Sequence, residues 1–214
     1  MNIVLIVLIW LLNFGISIWN AYAVGKSWAE AKAVGGWQRI MAWSGAVMSA
    51  SGFSWCYLIL LGFIGYKFEF ITPEQLEVAF NLGYILLIPG ILLSGLMITL
   101  DSWGRAFRQG GFMNYGVAIY NTYAQIHNTY SAITSFGGAF RNVSDFFGGS
   151  SSRGKDDEDN GRAIFIVILL VVAALAAGIL STMFIIRRTA ASTPLPPPPS
   201  REQFEDSARN VGRT

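Results

Sequence analysis

The chain has 214 residues, of which 53% are hydrophobic and only 13% carry charge. A soluble domain carries about 25% charged residues, so the deficit excludes an ordinary water-soluble globule and points to lipid as the solvent for much of the chain. The net charge of +2 is divided among short segments and builds no nucleic-acid surface. The single cysteine, Cys56, excludes an internal disulfide framework, and one histidine without paired cysteines argues against a structural zinc site.

A hydrocarbon core about 30 Å thick requires roughly 20 helical residues. Residues 3–22 form the first apolar run and end in Trp19 and Tyr22, as an interfacial belt does. Ala21-Tyr22-Ala23 resembles a signal-peptide cleavage site, but no Lys or Arg precedes the run, so it reads as an uncleaved helix. Residues 40–66 form the second run, with Trp43 near its start and Tyr66 before Lys67. Ala42, Ala46, Ala50 and Ser54 recur at every fourth position along it. Lipid supplies little hydrophobic force between helices, so small residues that admit close backbone approach mark packing faces. The spacing does not say whether that packing lies within one chain or between chains.

Residues 78–100 form the third run, with Pro89-Gly90 in its middle. A proline there removes an intrahelical hydrogen bond and predicts a kink, either a hinge or a shaped packing element. Asn13 and Asn81, the notable polar residues of the first and third runs, read as interhelical hydrogen bonders. The fourth run, 163–186, is unbroken and is stopped by Arg187-Arg188. It carries a second row of small residues, Ala174, Gly178 and Thr182.

Between the third and fourth runs lie thirty-two residues, Gln109 to Phe140, without Asp, Glu, Lys or Arg. They contain a repeat of seven: Asn114 to Tyr120, Asn121 to His127, Asn128 to Thr134. Phe112, Gly116, Ile119, Tyr123, Ile126, Tyr130, Ile133, Gly137 and Phe140 alternate spacings of four and three. That is the seam of a helix packing with a left-handed supercoil. The other side carries a polar stripe of Asn114, Asn121, Gln125, His127 and Asn128. A helix over 112–140 is roughly 40 Å long at 1.5 Å per residue, enough to span a bilayer with tilt. Three placements stand open. Copies of the helix assemble around their asparagines, the stripe bonds to other helices of the same chain, or the helix lies in water or on the membrane surface. His127 has no acidic neighbour in sequence, so it reads as a packing residue and not as a proton relay.

Orientation exposes a conflict. Cytoplasmic loops carry excess Lys and Arg. Lys26, Lys32 and Arg39 place the first loop inside and the N-terminus outside; Glu69, Glu74 and Glu77 place the second loop outside; Arg105 and Arg108 are inside again. The fourth run is preceded by Lys155 and Asp156 to Asp159 and followed by Arg187, Arg188, Arg201, Arg209 and Arg213, which asks for a cytoplasmic tail. An additional crossing by the uncharged segment removes the conflict; four crossings, with the tail outside, is the alternative.

The expected architecture is therefore all-α: four apolar transmembrane helices plus a polar heptad helix over 112–140 that is a candidate fifth crossing. Its parts are a three-helix membrane region (1–100), the heptad helix (101–147), a flexible acidic loop (148–162), a C-terminal span (163–188) and a polar tail (189–214). Asn142-Val-Ser144 matches the glycosylation acceptor pattern. In the tail, Thr193 to Arg201 is rich in proline and extends as a polyproline rod. Pro196, Pro199 and Arg201 fit a ligand for an aromatic-lined groove. No phosphate loop, dinucleotide fingerprint or catalytic constellation is present in the sequence, and no cofactor is expected. Three functions follow as expectations. The first is a non-enzymatic membrane subunit that assembles with other subunits or copies of itself. The second is a pore lined by Asn114, Asn121 and Asn128. The third is an adaptor whose tail recruits a cytoplasmic partner.

Overall fold

A computed structural model of the chain describes residues 3–34, 36–148 and 157–193. These form five helices and no strand: α1 Ile3–Val34, α2 Trp37–Lys67, α3 Pro73–Gln109, α4 Phe112–Gly148 and α5 Asp157–Ser192. Four of them, all but α4, contain stretches long and apolar enough to cross a membrane. This is the architecture of a polytopic helical membrane protein. The helices outrun the apolar stretches at their ends. α1 continues past Tyr22 through the expected first loop to Val34, because Ala, Lys and Glu between Ser27 and Val34 are strong helix formers. α5 likewise begins before Ala163 and ends beyond Arg188. Of the acidic loop, Gly148 ends α4 and the part from Asp157 onward is helical; residues 149–156 and Pro196, Pro199 and Arg201 of the tail lie outside the described residues.

The start of α3 is well specified. Thr72 accepts from the Gln75 backbone N–H at 3.3 Å while the Gln75 side chain accepts from the Thr72 N–H at 2.9 Å, and Pro73 follows the cap. This reciprocal box satisfies backbone donors that a helix start leaves free. α3 then runs without interruption through Pro89. Gly110 and Gly111 terminate it with φ of 63° and 85°, a left-handed backbone that glycine adopts without steric cost. With only these two residues between α3 and α4, α4 has to fold straight back along α3.

α2 is the central helix, touching α1, α3 and α5. Each neighbour approaches it over small residues. A Cβ on Gly90 of α3 would stand 3.1 Å from the Met48 Cα, and one on Gly45 would meet Val24 of α1. The α1–α2 contact also holds the fully buried Cys56, whose carbonyl accepts from the Trp10 indole N–H at 2.9 Å. A thiol walled in by two helices is unreactive. In detergent, Cys56 is expected to resist maleimide in the folded protein and to react once it unfolds; fast stoichiometric labelling of the folded state would contradict this packing.

The pairings set the direction of every helix. α2 runs against α1 and α3, with Trp10 beside Cys56 and the Trp37 indole N–H donating to Asp101 at 3.4 Å. α4 runs against α3, from Thr122 beside Trp103 to Asn142 beside Glu77. α5 runs with α1, since Gly25 lies against Ile186 and Thr189. It also runs with α3: Val167 near the start of α5 shares a cluster with Val78 near the start of α3 and Val143 near the end of α4. The helices therefore alternate in direction along the chain.

Candidate interface along the fourth helix

The α3–α4 seam is built from small and polar residues. On α4 the buried positions are Ala118, Ala132, Ala139 and Val143, with Thr122, Gln125 and Thr129 half-buried between them. Trp103 donates its indole N–H to the Thr122 hydroxyl at 2.9 Å, and Thr99 donates to the Asn121 backbone carbonyl at 3.3 Å. The Gln125 amide lies on Gly95 and donates to the Leu92 carbonyl at 3.2 Å. Leu92 belongs to the apolar stretch of α3, so Gln125 sits at the depth of that stretch. Its Oε1 is buried without a hydrogen-bond partner among the described residues.

The polar stripe read from the sequence is divided by this geometry. Asn114 lies at the Arg105 end of the bundle and donates to the carbonyl of Gly110, in the turn before α4, at 2.7 Å. Asn121 is half-buried at the edge of the seam and Gln125 lies within it. His127 and Asn128 are exposed, and His127 stacks on Tyr123 with ring centroids 6.3 Å apart. The apolar seam expected to pack is instead the outer face of α4. Ile119, Tyr123, Ile126, Tyr130 and Ile133 are each at least 60% exposed. The reason is room: the close approach forced by the Gly110-Gly111 turn accommodates Ala118 and Ala132 but no row of isoleucine and tyrosine. Ala118, Gln125, Ala132 and Ala139 also recur at seven, and that spacing was the available signal for the true contact face.

The two small-residue rows face each other inside the chain. Ala46, Ala50 and Thr182 line one groove between α2 and α5. Gly178 lies against Ala50 and Ser54, whose hydroxyl donates to the Ala50 carbonyl at 2.7 Å. Ala174 is fully buried with Leu58 and Ala79. Nearby, the Tyr57 and Ser181 hydroxyls share a hydrogen bond of 2.9 Å. Ala42 departs from the row and lines a cavity among α1, α2 and α3 together with Asn20 and Ser94. Asn13 bonds the Ile9 carbonyl of its own helix at 2.9 Å and makes no interhelical bond among the described residues. The Asn81 Nδ2 is buried without a partner among the described residues.

Charge separates the two ends of the bundle. Lys26, Arg39, Arg105, Arg108, Arg187 and Arg188 collect at the end where α1, α3 and α5 finish, and one pair there, Arg105–Asp101, is closed at 3.2 Å. Glu69, Glu74, Glu77 and Asp145 collect at the other end with Lys67 and Arg141. Compared with known proteins, the chain matches no family, no curated protein and no solved structure.

Proposed function

We propose that this chain is a non-enzymatic, five-span integral membrane subunit that assembles with protein partners in the bilayer. One observation carries the reading: α3 and α5, both apolar enough to span, run in the same direction. Two consecutive spans of the same direction require a return crossing between them, and α4 lies antiparallel against the length of α3. A fifth crossing also removes the charge conflict, because it puts the basic end on one side throughout. By the positive-inside rule that end is cytoplasmic, the N-terminus is outside and the tail is cytoplasmic. Assembly follows from the polar groups of α4, which lipid cannot satisfy.

A pore is supported by the exposure of His127 and Asn128, but Asn114, Asn121 and Asn128 do not share one exposed face, which weighs against a lining made of all three. Recruitment of a cytoplasmic partner by Pro196, Pro199 and Arg201 rests on the sequence pattern alone.

The crossing is tested by sidedness. With Cys56 replaced by alanine, single cysteines at Glu69, Gly110 and Ser151 are labelled in intact cells with a membrane-impermeant maleimide. Labelling of positions 69 and 151 from outside, with 110 protected, is the expected result. Positions 110 and 151 on the same side would remove the fifth crossing.

A further inference from the structure

We propose that α4 pairs with α4 of a second copy of this chain through the face carrying Asn121, Ala124, Asn128, Ser131, Ser135 and Gly138; the proposal rests on the reading of α4 as a crossing helix. α4 has three faces. One is occupied by α3. The second, with Ile119, Tyr123, Ile126, Tyr130 and Ile133, is large, uncharged and apolar apart from the two tyrosine hydroxyls, so hydrocarbon solvates most of it. The third lies between them and carries the asparagines, with Asn121, Ala124 and Ser131 half-buried and Asn128, Ser135 and Gly138 exposed. Its residues are spaced three and four apart, the pattern of a left-handed helix contact. Ala124, Ser131 and Gly138 are small enough for close backbone approach.

The need for a partner comes from the polar side chains. Asn128 follows Gln125 by one turn, and Gln125 is bonded at the level of Leu92. His127 and Asn128 are exposed within one turn of that depth, and Ser135 is exposed about three turns beyond it. None of these side chains makes a hydrogen bond among the described residues. An amide facing hydrocarbon without a partner costs several kcal/mol. A second copy is the occupant the chemistry selects. The face carries no charge, so nothing on it selects an oppositely charged partner. Copies of one chain insert in the same orientation, so their α4 helices meet in parallel and Asn128 faces Asn128 at one depth. An amide both donates and accepts, so like pairs with like, and a polar residue at one seam position sets register and stoichiometry.

Disulfide trapping in native membranes tests this without disturbing the asparagines. In a Cys56→Ala background, Ala124→Cys, Ser131→Cys and Ser135→Cys are each oxidised with copper phenanthroline, with Ile126→Cys and Ile133→Cys as outward-facing controls. Two differently tagged copies are expressed together, so that the linked species is identified as the same chain twice. The expected result is a linked homodimer at the three test positions, at least fivefold more abundant than at the controls. Equal yields at both sets, or none, overturn the pairing. Linkage to a different protein overturns the second copy as the occupant and leaves the membrane-subunit reading intact. Rapid modification of Ser131→Cys by a charged thiol reagent places the face on a wet path and overturns a packed seam. The sidedness result at position 151 is independent, so loss of the fifth crossing is distinguished from loss of self-pairing.

Discussion

Gly178→Leu is expected to destabilise the folded protein by about 3 kcal/mol, the upper end of the usual cost of overpacking. A Cβ at this position would stand 2.7 Å from the Ser54 backbone nitrogen and 2.8 Å from the Ala50 carbonyl oxygen. Both are backbone atoms of α2, so no rotamer change relieves the clash. The helices have to separate, and separation breaks the Tyr57–Ser181 bond and loosens Ala174 against Leu58 and Ala79. In lipid the cost is not softened by a hydrophobic gain, because the added leucine would be equally well solvated by acyl chains in the unpacked state. Thermal denaturation in mild detergent measures the loss. Gly116→Leu is the control. A Cβ on Gly116 meets nothing within 4 Å, so that variant is expected to melt within about 0.5 kcal/mol of the parent, as surface substitutions do. Equal stability of the two variants would show that α2 and α5 do not meet at Gly178.

Gln125→Glu is expected to cost about 2.5 to 3.5 kcal/mol at pH 8, the range for a carboxylate held at the centre of a membrane helix. The substitution keeps the shape of the side chain but replaces its donor with an ionised oxygen facing the Leu92 carbonyl. The sign of the pH dependence follows from linkage. A neutral carboxyl still has a donor for the Leu92 carbonyl, whereas the ionised form has none and is held in an apolar seam. The variant is therefore close to the parent at acidic pH, where the carboxyl is neutral. Its deficit grows as pH rises and the carboxyl ionises. Melting curves from pH 4 to pH 8 measure this, and the parent serves as the reference at each pH. A deficit independent of pH, or none, would mean that Gln125 is in contact with water and that α4 does not lie against α3 in an apolar medium. Gln125→Met separates charge from packing. Interhelical hydrogen bonds in membranes average about 0.6 kcal/mol, and the Gln125 Oε1 is an orphan that methionine removes. The two effects oppose each other, so Gln125→Met is expected to stay within about 1 kcal/mol of the parent.

Much of the bundle is legible in the residues because a bilayer imposes a simple demand. The four apolar runs, the Trp and Tyr residues at the ends of the first two and the helical pattern at 112–140 all have local causes. Helix ends are less legible, since charged residues such as Lys26 and Glu30 are good helix formers and mark no boundary by themselves. The contact face of α4 was concealed by its own regularity. A seven-residue repeat makes every face of a helix recur at seven, so Ile119-Ile126-Ile133, Asn121-Asn128-Ser135 and Ala118-Gln125-Ala132 are equally periodic. Size decides among them, and only when the distance between α3 and α4 is known. The seam expected from hydrophobicity follows the logic of water, where large apolar residues are driven together; if α4 is the crossing helix proposed above, that drive is absent around it and the small face packs.

By itself, then, the chain's sequence determined a helical membrane protein with four apolar spans and one uncharged amphipathic helix, because length and hydropathy are properties of single segments. Tertiary structure alone decided three things. It set α3 and α5 in the same direction, brought the rows at Ala50-Ser54 and Ala174-Gly178 together within one chain, and turned the isoleucines and tyrosines of α4 outward. Each of these depends on which segments become neighbours. Here the neighbours are chosen by the two-glycine turn at Gly110-Gly111 and by how closely two backbones can approach.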